Sequence, residues 1–253
     1  MHHRLIRYHL DAPWKIHSEL LKLTPNLVEG RIHVFDDDES WPDSGEAITL
    51  FRLARLFVSH IEVLNYLRAP ALDGLAVEVA VNEGPRLLHL LDPFTTRSLC
   101  VLRTLCLEQS PDAPSTAEIL RKYPSITRIA IIFDTYDKDD AGFRNPNSFL
   151  THFTIPDPIV GGVVAPHLSE IDLGYKQLDI DYPLYLEMLQ SRRKGEHPAL
   201  RGAALLTDGR TAPDPATLDG LHALRRDGLD LLLLGEEEAE RKMNGWTYLK
   251  PWS

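Results

Sequence analysis

The sequence predicts an α/β fold in which short strands and helices alternate, and residues 101–131 contain the clearest unit. Its first part has the spacing L-x-x-L-x-L from Leu102, which is typical of a strand with one buried face. A Pro-containing break, an amphipathic run over 115–123 and a second strand with the same spacing from Ile126 follow. One strand, one turn and one helix in about 25 residues is the size and pattern of a leucine-rich repeat.

A second observation is that this spacing recurs along the chain. Strands with the L-x-x-L-x-L spacing or a close variant begin at Leu53, Leu72, Leu102, Ile126, Leu168 and Leu200. An alternating run over 27–35 precedes them, and a last strand starts at Gly228. The distances between units are irregular, so an ordinary α/β domain stays open as the alternative. The repeat is favoured because the strand pattern is nearly constant and no Gly-rich strand-to-helix turn occurs.

We therefore predict a leucine-rich-repeat solenoid, an arc with parallel strands on its concave face and short helices on its convex face. It forms a single irregular domain over 1–253, in which 1–15 and 240–253 are terminal or capping segments. The domain is expected to contain about eight units. The stretch 134–166 is rich in Pro and Gly and is predicted to be an irregular insertion, although 148–153 can supply one or two helical turns.

Helices are predicted where apolar residues recur with the helical period. They span 16–23, 61–67, 87–94, 115–123, 182–194 and 218–226. Pro25 and Pro124 set two of the helix ends, because the residue before a proline is disfavoured in the α conformation. Ser115 and Glu118 have the spacing of a capping box. The basic residues at 192–194 are expected at a helix C-terminus, where the helix dipole favours cations.

Composition argues against several classes of partner. The 253 residues carry a formal net charge of −10, whereas nucleic-acid binding is driven by lysine and arginine that neutralise phosphates. No apolar core of a signal peptide is visible near the N-terminus. The apolar run 231–234 is far shorter than the roughly 20 residues that span a bilayer. Cys100 and Cys106 are too few for a disulfide framework. We expect no nucleic-acid or membrane partner and an intracellular location, in the cytoplasm or nucleus.

The candidate binding residues lie on the predicted concave face. In each strand the leucines point into the core and the residues that flank the last leucine point outwards, because side chains alternate along a strand. The residues selected in this way are Arg31, His33, Phe57, Ser59, Glu78, Cys106, Glu108, Ile132 and Asp172, with Ala76, Ala130, Gly174, Ala204 and Leu206 among them. The hypothesis is a surface that binds a protein, and a merely solvated sheet is the alternative.

Acidic runs follow several predicted strands. Their residues are Asp36, Asp37, Asp38, Asp137, Asp139 and Asp140, together with the glutamates of 236–240. Parallel strands end at the same edge of a sheet, so these runs are expected to form a negative rim that steers a basic partner. Solvated loops that oppose aggregation are the alternative.

No sequence pattern indicates catalysis, a metal or a cofactor. The eleven histidines are scattered and lack the H-E-x-x-H spacing of a zinc site. The motifs G-x-S-x-G, G-x-x-x-x-G-K-[ST] and G-x-G-x-x-G are absent from the sequence. The aromatic residues Trp246, Tyr248 and Trp252 are expected to cover the open end of the last repeat. We therefore predict no catalytic residue, no metal site and no cofactor.

Five segments carry a family resemblance: LKLTPNLVE (21–29), LNYLRAPALDGL (64–75), TTRSLCVLRTL (95–105), LRKYPSIT (120–127) and MLQSRR (188–193). Over about 20–235 the chain resembles the divergent leucine-rich-repeat region of fungal F-box proteins, the large families of mushroom-forming (basidiomycete) fungi. In that family an F-box, a small helical module, precedes the repeats, and residues 1–25 are too few to hold one. The resemblance implies a ubiquitin-ligase adaptor as partner only where an F-box lies upstream.

The predicted function is non-catalytic protein–protein recognition by a leucine-rich-repeat surface. By resemblance, this surface corresponds to the substrate-binding part of an F-box ubiquitin-ligase receptor. The alternative is a small α/β enzyme with an acidic site at the C-terminal edge of the strands. An open sheet surface favours binding, whereas a pocket at the carboxyl ends of the strands favours the enzyme.

Overall fold

The main feature of the fold is an open parallel sheet of nine strands. The computed structural model describes residues 6–35, 41–43, 45–80, 82–109, 111–134, 147–155, 164–176, 178–194, 199–207 and 212–247. Across the sheet the strands are β1 (Arg7–Ala12), β2 (Glu29–Val34), β4 (Arg55–Val58), β6 (Gly74–Val79), β7 (Thr104–Gln109), β8 (Arg128–Asp134), β9 (Glu170–Lys176), β10 (Gly202–Thr207) and β11 (Asp230–Gly235). All pairings are parallel, so the predicted α/β class with parallel strands is confirmed.

Sheet order follows chain order, and each crossover between parallel strands contains further structure. Two short strands, β3 (Ile48–Thr49) and β5 (Leu67–Arg68), pair in a separate small sheet. The helices are α1 (Trp14–Lys22), α2 (Gly84–Ser98), α3 (Ala113–Lys122), α4 (Asn147–Phe153), α5 (Tyr182–Arg193), α6 (Pro215–Arg226) and α7 (Glu236–Thr247), and Ile61–Tyr66 form a 3₁₀ helix.

Three helices begin with an aspartate cap and a proline in the first turn. Asp112 Oδ1 accepts a hydrogen bond from the Ser115 amide at 2.7 Å, and it starts α3. Asp181 and Asp214 cap α5 and α6 in the same way. A side-chain acceptor at this position satisfies an amide that has no partner within the helix. The expected capping box of Ser115 with Glu118 is therefore wrong, because Asp112 caps this helix.

The continuous core lies between the main sheet and α1 to α6. Alternate strand residues, among them Leu75, Leu105, Ile129 and Ile171, are at most 1% exposed and pack with apolar residues of these helices. The strand residues between them point to the opposite side, which we call the second face. The L-x-x-L-x-L spacing thus marks the face that the helices cover.

Three segments that the sequence defined only loosely contain regular structure. Within the predicted terminal or capping segment 1–15, residues 7–12 form β1, which pairs with β2 along its whole length. The insertion 134–166 contains α4, which contacts α3 and α5 in the helical layer. The acidic stretch 236–240, predicted as part of a negative rim with a solvated loop as the alternative, forms the start of α7. That helix contacts β9, β10 and β11.

Arg192 lies in the last turn of α5, as predicted, but it is buried there. Its side chain is 5% exposed, and its guanidinium donates to the carbonyl oxygens of Phe153, Val164 and Ala165 at 2.7, 2.9 and 3.2 Å. Carbonyl groups that lack partners inside a protein are costly. Arg192 therefore fixes Val164 and Ala165, together with the end of α4, to α5.

Candidate binding surface on the second face

The register of the sheet arranges the second face in three rows. The amino row contains Arg7, Glu29, Arg55, Gly74, Thr104, Arg128, Glu170, Gly202 and Asp230. The middle row contains His9, Arg31, Phe57, Ala76, Cys106, Ala130, Asp172, Ala204 and Leu232. The carboxyl row contains Asp11, His33, Glu78, Glu108, Ile132, Gly174, Leu206 and Leu234. The sequence-selected residues of the strands therefore occupy the middle and carboxyl rows, and Ser59 follows the end of β4.

Several of these residues are nevertheless buried, although they were expected at an open surface. Phe57 is 3% exposed, Cys106 is 1% exposed and Ile132 is fully buried. They belong to a second apolar cluster, which also includes Ala239 and Met243 of α7. Arg31 lies over the Phe57 ring, with its Cζ 4.5 Å from the ring centroid. The face of an aromatic ring attracts a cation at this distance. Only part of the second face is thus open to a partner.

The open part is a groove of about 790 Å³ along the amino and middle rows of β4 and β7 to β11. Its walls carry both signs of charge. Arg128, Arg201 and Asp230 are exposed, and Asp172 and Arg55 are half-buried. In a protein-binding surface, charged groups of this kind belong to the polar rim around an apolar centre.

Ion pairs hold the amino row in place. Glu29 lies between two arginines, with 2.7 Å to Arg7 Nε and 2.6 Å to Arg55 Nη2. The first residues of β8 and β9 form a similar pair, in which Arg128 Nε lies 2.7 Å from Glu170 Oε2. The Glu29 side chain is only 4% exposed, so its two partners offset the cost of burying its charge.

Asp172 is the half-buried acid of the groove. Burial raises its pKa to about 6, and the positive charges of Arg128 and Lys242 oppose this rise. The neighbouring thiol of Cys106 is fully enclosed, and burial holds its pKa well above the ordinary value. A thiol in that state is a poor nucleophile, which fits a packing role for Cys106.

A second group of charges lies at the carboxyl ends of the central strands, and we call it the carboxylate cluster: Glu78, Glu108, Asp134, Lys176 and Gln109. Lys176 Nζ donates to Glu108 Oε1 at 3.1 Å and to Asp134 Oδ2 at 3.0 Å. Gln109, at φ 79°, donates through Nε2 to Glu78 Oε2 at 3.0 Å. Burial, followed by the negative charge of Glu108, raises the pKa of Glu78 to about 7.

The remaining predicted residues divide into two groups. His33 faces Asp11, with 3.8 Å between Nδ1 and Oδ1, and Ser59 Oγ accepts the Val34 amide at 2.9 Å. The rim residues Asp36, Asp37, Asp38, Asp137, Asp139 and Asp140 lie outside the described residues, as do Tyr248 and Trp252.

The sequence interpretation missed the amino row, including Arg55, Arg128 and Glu170. The signal was present, because each of these residues stands two positions before a selected residue of the middle row and alternation places both on one face. It also missed α7 as a cover of the second face. There the signal was the i, i+4 pair Ala239 and Met243 in an otherwise charged run.

No described helix is long and apolar enough to cross a membrane. Within the part of the chain that the structure describes, His, Cys, Asp and Glu side chains form no group of three suited to hold a metal ion. Comparison of the chain with protein-family models, with curated proteins and with solved structures gave no match.

Proposed function

We propose that this protein recognises another protein, without catalysis, through the groove on its second face. The observation that carries the proposal is the regular row structure of that face, which continues across nine parallel strands paired in chain order. One face is sealed by helices, and the other presents charged and apolar side chains at a fixed spacing. Large continuous surfaces of this kind suit an extended or folded protein partner better than a small molecule.

We also infer that the architecture is a leucine-rich-repeat solenoid. Two features support this inference. Each strand of the main sheet pairs in parallel with the next strand of that sheet along the chain, and a helix follows most of the strands. The resemblance to fungal F-box proteins then suggests the substrate-binding part of a ubiquitin-ligase receptor. The free thiols of Cys100 and Cys106 support a reducing compartment, the cytoplasm or nucleus.

The groove can be tested by reversing its exposed charges. A double variant, Arg128→Glu and Arg201→Glu, changes two exposed arginines that line the groove. The matched control, Arg121→Glu and Arg226→Glu, makes the same charge change at exposed sites on α3 and α6. Partners are captured from cells by cross-linking and affinity purification. We expect the groove variant to capture at least tenfold less partner than the wild type, and the control to capture as much as the wild type.

The opposite pattern would sink this proposal: partners kept by the groove variant and lost by the control. The ligase link has its own readout. A ligase substrate should accumulate when this protein is depleted, and the accumulation should be reversed by the wild type but not by the groove variant.

The carboxylate cluster favours a second candidate function, an α/β enzyme with an acid–base pair. Glu78, with a pKa of about 7 beside Glu108, has the property of a general acid or base. The cluster also lies at the carboxyl ends of the strands, where parallel α/β enzymes bind their ligands. The groove lies instead at the amino ends, and neither Glu78 nor Glu108 lines it. Lys176 already forms ion pairs with Glu108 and Asp134, which leaves neither carboxylate free for acid–base work. Recognition is therefore the better supported function.

A further inference from the structure

The C-terminal helix α7 is placed differently from the other helices. It begins directly after β11, at Glu236, which has a φ of 52°. A positive φ is unfavourable for a residue with a side chain, and this residue starts a helix that packs against β9, β10 and β11. Its buried residues belong to the apolar cluster of the second face. The helix therefore covers one end of the surface that we assign to recognition.

The sheet beneath α7 has a notch that fits a long apolar side chain. A Cβ atom at Gly174 would lie 2.6 Å from Met243 Sδ and 2.9 Å from Met243 Cγ. Such distances do not occur between non-bonded carbon and sulfur atoms, so the methionine needs a glycine below it. Ile132 and Leu206 lie in the same cluster and are fully buried. A helix that packs on this part of the sheet therefore needs a long apolar side chain at the position of Met243.

The anchoring of α7 is narrow. Among its described side chains, Ala239 and Met243 are fully buried, whereas Glu236–Glu238, Glu240, Arg241 and Lys242 are exposed. By contrast, α5 buries Tyr182, Tyr185, Met188, Leu189, Ser191 and Arg192. Elements with few buried apolar contacts open at low free energy. Release of α7 exposes an apolar patch, and such a patch favours a new partner.

We propose that this end of the second face is a docking site for an amphipathic helix, which α7 occupies within the chain and a partner's helix can take over. The partner helix would match the spacing of α7: a small residue, a cation three positions later and a Met or Leu in the fourth position. The cation corresponds to Lys242, which lines the groove with Asp172. This proposal rests on the proposed recognition function, because it names the kind of partner that the same face takes.

A labelled peptide with the sequence of residues 236–247 tests the site on the full chain. Met243→Asp removes the anchor of the helix within the chain, and Arg241→Asp introduces a similar carboxylate on its exposed side. By fluorescence anisotropy, the peptide should bind the Met243→Asp chain at least tenfold more tightly than the wild type or the Arg241→Asp chain. Hydrogen exchange should show faster exchange of the 236–247 amides in the Met243→Asp chain.

A further variant locates the binding. Adding Gly174→Met to Met243→Asp fills the notch and should abolish peptide binding. Equal binding to the filled and unfilled chains would overturn the proposed site, as would a folded Met243→Asp chain that binds no more tightly than wild type. If Met243→Asp does not fold, Met243→Ala removes the same anchor without adding a charge.

These outcomes separate the docking site from the recognition function. The peptide experiment uses no cellular partner, so peptide binding can fail while charge reversal in the groove still abolishes capture. Conversely, peptide binding can succeed while the groove variant captures every partner. Either result identifies which of the two proposals is wrong.

Discussion

The two faces of the main sheet are built from alternate residues of the same strands, yet they have opposite characters. On the helix-covered face, Leu75, Leu105 and Ile171 repeat one apolar type from strand to strand. On the second face, charge, size and burial differ between neighbouring positions, as Arg128, Cys106 and Asp172 show. The covered face is uniform because every strand must exclude water there, whereas the second face is free to vary.

Because of this difference, two adjacent residues of one strand can have separate roles, one in stability and the other in recognition. A leucine inside the helix-covered core makes contacts with several elements, so its loss leaves a cavity. A residue of the second face acts through a local partner or through the ligand. Substitutions on the two faces should therefore differ in size, in their dependence on charge and in their dependence on pH.

The largest expected effect comes from adjacent residues of β7. Leu105 and Cys106 are 0% and 1% exposed but point to opposite faces. Leu105→Ala should lower the free energy of unfolding by about 4 kcal/mol, because it opens a cavity in the main core. Cys106→Ala removes one sulfur atom and should cost about 1 kcal/mol. Equal losses in urea denaturation would contradict the distinction between the faces.

A smaller effect is expected for the carboxylate cluster. Lys176 is the cation shared by Glu108 and Asp134, and its side chain is 16% exposed. Lys176→Met leaves two half-buried carboxylates without it and should cost about 3 kcal/mol. Adding Glu108→Gln should restore part of this loss, since one of the repelling charges is removed. Additive losses in the double variant would show that the lysine stabilises the fold through its packing alone.

The smallest effect depends on pH. The pKa of Glu78 is raised from 4.5 to about 7, so between these values the folded chain keeps a proton that the unfolded chain has released. Stability must therefore fall as pH rises from 4.5 to 7, and Glu78 adds no further loss above that value. Relative to Glu78→Gln, wild type should lose about 1 kcal/mol over this interval, since solvent weakens the effect.

The measurement is the difference in the free energy of unfolding between the wild type and Glu78→Gln at each pH. Other titrating groups contribute to both proteins and cancel. A difference that does not change with pH would show that the Glu78 proton does not distinguish the folded from the unfolded state.

The fold class and most strands could be predicted because burial on one face leaves a strict period in the sequence. The strands that begin near Leu102 and Ile126 follow this period, and the structure contains them as β7 and β8. The edge strand β1 was missed because its six residues lack the L-x-x-L-x-L spacing by which the other strands were recognised, although Tyr8 and Ala12 alternate with exposed polar residues. An edge strand has one neighbour and needs fewer apolar residues to remain paired.

For the candidate site, the sequence could predict only which face of the sheet each residue points to. Alternation placed Arg31, Glu78 and Asp172 on one face, but it carries no information about what covers that face. The burial of Ile132 depends on α7, which lies about 100 residues away in sequence. The raised pKa of Glu78 likewise depends on a strand neighbour, Glu108, that only the register reveals.

The left-handed residue at the start of α7 also has a consequence for the order of events during synthesis. The ribosome completes β8, β9 and β10 before it makes Glu236, so Ile132, Gly174 and Leu206 emerge without their cover. Until the chain turns back at that residue, this end of the sheet presents its apolar cluster to other molecules. Between the synthesis of β10 and the docking of α7, this apolar cluster is therefore accessible to chaperones and to unwanted association.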